Sequence, residues 1–172
     1  MNRANEEIKL PDGRTIWLSR SPAIVAIVLI YVGKDLFVLT EKRSDLMDEP
    51  KKWSAPSGYL DWNESGFEAV QRELLEETSF DITAYEEYLD FDNNKQPFYV
   101  HTDPWTDAKQ NISLTYVLIY NMKKLPLHIE DFKDKEIDKI KWMNVNDLEK
   151  IDTSWAFNHD ERIMMAINKF NL

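Results

Sequence analysis

Apolar and polar positions recur with two different periods along this chain, and the change of period marks off its predicted elements. Two short runs, Glu7–Leu10 and Thr15–Ser19, flank the turn signal Pro11-Asp12-Gly13 and read as a strand pair. A longer pair follows, Ala23–Val32 and Leu36–Thr40, both rich in β-branched residues and joined through Val32-Gly33-Lys34-Asp35. The near-continuous apolar run of the first predicts a strand buried on both faces. Ile82–Phe91, Leu114–Tyr120 and Ile137–Met143 read as further strands, and Gly58 as a loop or strand end after Trp53-Ser54-Ala55-Pro56-Ser57. Helical period takes over after Ser65-Gly66-Phe67-Glu68, a capping-box sequence that opens a helix running to about Thr78. In it Phe67, Val70, Leu74 and Leu75 fall within roughly 140° of arc, which predicts a core-facing stripe. Asn146–Ile151 reads as a short capped helix, and Asp160–Phe170 as an amphipathic helix burying Ile163, Met164, Ile167 and Phe170. Between the strands, Asp92–Ile112 is polar and aromatic, with Pro97 and Pro104, and reads as a long functional or mobile loop. Strands alternating with helices make this an α/β (α+β) layered domain.

Composition narrows the class. With no repeat or linker, 172 residues fit one domain, residues 1–172, with the strand pair of residues 1–20 ahead of a core at 21–172. A chain that is 43% hydrophobic and 12% aromatic buries enough surface to exclude disorder as its default. The absence of cysteine excludes disulfides, thiolate metal sites and thiol nucleophiles, and fits a reducing, cytoplasmic setting. The longest apolar run, Ala23–Val32, is too short to span a membrane, and the N-terminus does not resemble a signal peptide. Lys and Arg number 21 against 31 Asp and Glu, a net charge of −10, which argues against nucleic acid as a partner.

The candidate chemistry lies on the first helix. Glu73, Glu76 and Glu77, spaced i, i+3 and i+4, share one face within roughly 100°. Their mutual repulsion and the helix macrodipole each disfavour them there, by about 0.3–1 kcal/mol. Local rules broken in this way point to function, and grouped carboxylates suit a hard divalent cation, Mg²⁺ or Mn²⁺. A glutamate-rich face alone is more often simply solvated. The spacing around it changes that balance: Gly58-x5-Glu64-x7-Arg72-Glu73-Leu74-x-Glu76-Glu77-x-Ser79-Phe80. Six fixed positions coincide by chance about once in 10⁷ starting points at ordinary residue frequencies.

This pattern resembles the signature of the Nudix hydrolases, with Ser79 where the family carries glycine. Trp53 to Gly58 is similar to the family's approach to the signature, with Ser57 in place of its first glycine. The hairpin Ala23–Thr40 followed by Arg43, and Glu136 with Trp142 and Asn146-Asp147-Leu148, resemble the family's early strands and its last strand leading into a helix. The resemblance implies an α/β/α sandwich around a central mixed sheet. It also implies Mg²⁺-dependent hydrolysis of a diphosphate bond in a nucleoside diphosphate linked to another group, with ADP-ribose or another nucleotide sugar favoured. By the same resemblance Glu73, Glu77, Glu76 and the Gly58 carbonyl are the metal ligands. Glu77, Glu76, Arg72, Glu64 and Glu136 are the catalytic set, Arg72 fixing a carboxylate rotamer and Glu64 joining its network. For the general base the order is Glu136, Glu77, Glu130.

Substrate selection falls to residues outside the helix. Arg43 and Lys52, with Lys42 and Lys51, form the densest basic group, and Phe98 and Tyr99, with Trp105 and Tyr116, are stacking candidates. His101, His128 and His159 show no metal-ligand spacing and receive no role. The expected partners are a nucleotide-type small molecule and a second copy of the chain, with no membrane. The dimer expectation rests on Ile8, Leu10, Ile16, Trp17 and Leu18 of the strand pair. Zero cysteines disfavour an isopentenyl diphosphate isomerase and a zinc-ribbon NADH pyrophosphatase, and the lack of a basic helix disfavours a Nudix-like transcription regulator. A non-catalytic nucleotide-binding Nudix domain and a housecleaning nucleoside triphosphate pyrophosphatase are the remaining alternatives.

Overall fold

The computed structural model describes residues 5–90, 95–104, 111–132, 135–148 and 154–172. Strands β1 (Glu6–Lys9) and β2 (Thr15–Leu18) pair antiparallel across a turn in which Gly13 takes φ 85°, and form a two-stranded sheet of their own. The long apolar run is β3 (Pro22–Val32), which turns at Gly33 (φ 65°) into β4 (Asp35–Arg43). Next come β5 (Trp53–Ser54), β6 (Ser57–Tyr59) and helix α1 (Gly66–Thr78). They are followed by β7 (Tyr99–His101), β8 (Ile112–Met122), β9 (Ile137–Asn144) and helix α2 (His159–Phe170).

Seven strands form one mixed sheet, ordered β5-β4-β3-β8-β7, with β6 also on β3 and β9 also on β4. The pairing of β3 with β8 is parallel and runs the whole of both strands. On its other edge β3 is shared: β4 pairs with Leu29–Val32, whereas β6 pairs with Ala23–Val25. The sheet therefore splays where β4 leaves β3, and β6 enters the gap.

Strict alternation divides the core into two layers. Ile24, Ala26, Val28 and Ile30 pack with Ala69, Val70 and Leu74 of α1, and Ile27 and Leu29 pack with Ile163, Ala166 and Ile167 of α2. In β8, Leu118 and Tyr120 face the first layer, Val117 and Ile119 the second. Each face of the sheet is covered by one helix, so β3 is buried on both sides, as its apolar run requires. The architecture is the α/β/α sandwich expected from the sequence.

Local expectations fail in five places. Ile82–Phe91 is not a strand: Ile82–Tyr88 is a 3₁₀ segment whose start is capped by the Asp81 carboxylate, which accepts the Thr83 N–H at 2.9 Å. Only Leu89 returns to the sheet, in a single bridge with Tyr120, and Phe91 lies outside the described residues. Leu75 is 52% exposed. The buried arc of α1 runs through Ala69, Val70, Glu73, Leu74, Glu77 and Thr78, so the carboxylates occupy the place that hydrophobicity alone assigned to Leu75. Val145–Asp147 is a single 3₁₀ turn capped by Asn144, and residues 149–153 lie outside the described residues. Within the expected loop, β7 adds a strand to β8 through long-range pairing that no local pattern signals. In α2, Met164 and Phe170 are half-buried, whereas His159 and Arg162 are buried.

Helix α1 begins as its sequence dictates: the Glu68 carboxylate accepts the Ser65 N–H at 2.7 Å, and the Ser65 hydroxyl accepts the Glu68 N–H. It ends on Ser79 at φ 58°, ψ 20°. In that left-handed region an L-residue costs about 1 kcal/mol more than glycine. Ser79→Gly is accordingly expected to stabilise the fold by up to about 1 kcal/mol in urea denaturation, and a loss of stability would contradict the left-handed cap.

Candidate active site

Helix α1 lies against β6 at the splay in the sheet, and its carboxylates meet the Gly58 backbone there. A Cβ added to Gly58 would stand 1.9 Å from Glu73 Oε1. Any other residue at this position would have to displace the Glu73 carboxylate, which fills the space where its side chain would begin. Glu73 and Glu77, one turn apart, are both buried, while Glu76 lies on the open side of the helix.

Arg72 organises this group. Its guanidinium donates to both oxygens of Glu64 (2.6 and 3.0 Å), to Glu73 (2.7 Å), to Glu76 (3.2 Å) and to the Tyr59 carbonyl (3.0 Å). These bonds to Arg72 hold the Glu64 carboxyl below its ordinary range. Glu73 is pushed up by burial, partly offset by Arg72. Glu77 is pushed up further, by burial and then by the nearby carboxylates of Glu41 and Glu73. One backbone donor faces it, the Ser57 N–H at 2.9 Å.

These residues form one wall of a cavity of about 380 Å³. The wall comprises Ser57, Gly58, Arg72, Glu73 and Glu77, and Arg43, Glu136, His159 and Arg162 also line the cavity. Arg43, the last residue of β4, is buried; its Nε donates to the Asp48 carbonyl at 2.7 Å and its guanidinium lies over the Phe157 ring. Arg162 reaches from α2 to donate to the Ser113 hydroxyl. His159 Nδ1 accepts the Ala55 N–H at 3.1 Å. Complete burial, followed by the charges of Arg162 and Arg43, pushes the His159 pKa down to about 3. The cavity thus sets buried carboxylates among buried guanidiniums, with an imidazole that burial and two arginines hold neutral.

The other residues singled out in the sequence fall on both sides of this boundary. Glu136 lines the cavity. Glu64 and Glu76 are not lining residues: both bond to Arg72, and Glu64 also accepts the Asp61 N–H at 2.8 Å. Glu130 does not line it: its carboxylate accepts the Trp142 N–H at 2.9 Å. Lys52 pairs with Glu49, and Lys51 with Asp45 and Asp138, so of the basic group Arg43 alone is a lining residue. Phe98 packs on Phe170 with Lys169 over its ring, and Tyr99 bonds to His101; neither lines the cavity. Tyr116 packs in the core against Phe67, and Trp105 lies outside the described residues. Sequence analysis singles out none of Arg162, Ser113 and Glu41, and gives His159 no role, yet Arg162, Ser113 and His159 line the cavity. For Arg162 and His159 a signal was present, since a polar pair at i, i+3 interrupts the buried stripe of α2.

The donor set suits a hard divalent cation, being carboxylate oxygens beside a backbone carbonyl, and the space that Gly58 leaves for Glu73 fits such a site. Among the described residues no three acidic or imidazole groups yet converge on one point, for Arg72 holds Glu73 and Glu76 while the Ser57 N–H holds Glu77.

Sheet, helix and signature together define a Nudix-type domain. The family model described as NUDIX domain matches residues 21–164, and the chain belongs to the Nudix family. A zebrafish (Danio rerio) relative, m7GpppN-mRNA hydrolase NUDT17, is 32% identical over 79 residues, covering 46% of this chain. The match spans only 25% of the length of that relative. The NUDIX domain of Shewanella oneidensis NrtR, solved with ADP ribose, superposes with a TM-score of 0.61 at 20% identity, covering 89% of this chain and 90% of that one. The C. elegans Ap4A hydrolase superposes with a TM-score of 0.59 at 16% identity, covering 90% and 100%. At such identities the two structures speak for the fold alone.

The buried histidine leads to a pH dependence. A chain that protonates His159 near pH 6.5 when unfolded and only near pH 3 when folded loses stability as pH falls between those values. Each pH unit across that window is worth up to about 1.4 kcal/mol. His159→Gln, which can still accept the Ala55 N–H, is expected to flatten this acid limb in urea melts from pH 7 to pH 3. An unchanged slope would show that the imidazole is not held neutral.

Proposed function

We propose that this protein is a divalent-cation-dependent hydrolase of a diphosphate bond in a nucleoside diphosphate linked to another moiety. The observation that carries this reading is the pair Glu73 and Glu77, buried side by side against Gly58 in the wall of the cavity. Glu73, Glu77, the Gly58 carbonyl and, from the open side, Glu76 would hold Mg²⁺ or Mn²⁺. Such an ion supplies Lewis-acid polarisation of phosphoryl oxygens and a lowered pKa for bound water.

The chain's own groups account for the rest. Arg72 restrains the rotamers of Glu64, Glu73 and Glu76 together, so that the carboxylates are positioned before substrate arrives. Arg43, buried in the cavity lining, offers a fixed positive charge to a diphosphate that the −10 protein as a whole would repel. Glu136, also in the lining, is the residue of choice as general base, since Glu77 is committed to the cation and Glu130 to the Trp142 N–H. A nucleotide sugar such as ADP-ribose is the favoured substrate class. The likeness to a Nudix domain solved with ADP ribose supports that choice.

A panel of ADP-ribose, other nucleotide sugars, dinucleoside polyphosphates and nucleoside triphosphates, assayed for nucleotide and phosphate release with Mg²⁺ and with Mn²⁺, tests the reading. Turnover is expected for at least one diphosphate compound. Glu77→Gln is expected to lower kcat by several orders of magnitude without loss of the fold. Full activity in this variant, or no turnover of any compound by the native protein, would refute the assignment.

We propose also that the protein is a homodimer, with the β1–β2 hairpin in the interface. Among the described residues β1 and β2 pair only with each other, and Ile8, Trp17 and Leu18 remain exposed. An isolated two-stranded sheet is marginal in water. Light scattering is expected to give twice the chain mass at micromolar concentration, and the mass of a single chain when the hairpin is removed. A monomeric full-length protein would exclude the interface.

A further inference from the structure

One buried acid has no place in the scheme above. Glu41, on β4, is fully buried, and its strand partner in β5 is Ser54. The Ser54 hydroxyl donates to Glu41 Oε1 at 3.0 Å. The second oxygen, Oε2, is equally buried and meets no donor among the described residues. The Glu77 carboxyl lies within interacting range of the Glu41 carboxyl, and Glu73 acts electrostatically on both. Glu41 does not line the cavity; Glu77 does.

A buried acceptor without a donor is an exception that calls for a specific cause, and an ion is one of the few available. Packing does not require an acid at this position. A neutral side chain of similar volume near the end of β4 would keep the strand pairing and remove the repulsion from Glu77. Two carboxylates pressed together away from water, one with a vacant lone-pair face, are complementary to a positive charge of small radius. Arg43, two residues further along β4, attracts Glu41 electrostatically, but its Nε is committed to the Asp48 carbonyl.

We infer that Glu41 is a further carboxylate of the cation site, supplying Oε2 from the layer behind Glu77. The inference rests on the cation-dependent reading proposed above. It adds a ligand from β4 to the ligands drawn from α1 and from β6. The cation then ties α1, β6 and β4 together at the splay in the sheet.

Mn²⁺ binding to the metal-free protein, followed by the loss of the free-ion EPR signal, tests this without reference to turnover. The variants are Glu41→Gln and Glu41→Leu, with thermal unfolding recorded with and without Mn²⁺. Both variants are expected to melt at or above the native temperature without cation. They are expected to bind Mn²⁺ about 10- to 100-fold more weakly, and to gain less thermal stability from it, as loss of an ordered carboxylate at a metal site does. Native-like Mn²⁺ affinity in Glu41→Gln would overturn this inference alone. A metal-free melting temperature below native in both variants would make Glu41 a structural residue and overturn it also. Failure of the native protein to bind Mn²⁺ would remove the cation-dependent reading along with it.

Discussion

The close approach of α1 to β6 is the constraint on which the site depends. A helix that buries glutamates as well as aliphatic residues can sit on a sheet only where backbone and side chain leave room for them. Gly58 provides that room, since a Cβ there would overlap the Glu73 carboxylate. Burial makes those carboxylates costly in their charged form, and the chain offsets the cost with fixed donors: the Arg72 fork and the Ser57 N–H. The same donors keep the oxygens in defined positions, so what neutralises the site also preorganises it. A substitution at Gly58 would therefore displace Glu73, which Arg72 otherwise pins.

The sheet supplies the opening in which this happens. Because β3 is apolar on both faces it must be covered twice, and α1 and α2 take one face each. One edge of β3 is held by β8 along its full length, whereas the other passes from β4 to β6. That change of partner brings Gly58 beside α1, and leaves the end of β4, with Glu41 and Arg43, facing the same region. Helix α2, whose apolar residues seal the second layer, adds His159 and Arg162 to the cavity lining from its first turn. Elements that build the core thus also deliver the charged groups.

Charge is distributed against the trend of the whole molecule. The protein carries an excess of ten acidic groups, yet Arg43 and Arg162 are both buried in the cavity lining. Burial first, and then their field in a region of reduced solvent screening, keeps His159 neutral. An anionic group entering this space would meet positive charge from the protein itself.

Residues adjacent in sequence made much of this legible. The spacing from Gly58 to Glu77 placed Glu73 and Glu77 one turn apart, the capping box set the start of α1, and the apolar run of β3 required a two-sided sheet. Each depends on local geometry with a fixed period, which a linear pattern records. Tertiary structure decided what pattern could not. Hydrophobicity placed Leu75 inside and left the carboxylates outside, but the groove beside Gly58 admits Glu73 and Glu77, and Leu75 faces solvent. Ile82–Tyr88 became 3₁₀ because the Asp81 cap outweighed a weak alternation, and β7 exists because β8 has an edge to pair with. Arg162 and His159 enter the cavity, while Phe98, Tyr99 and Lys52 do not, because a side chain 85 residues from Glu77 is brought near only by the packing of α2 on the far face of β3. Periodicity determines which face of an element is buried; only the meeting of elements determines which buried groups share a site.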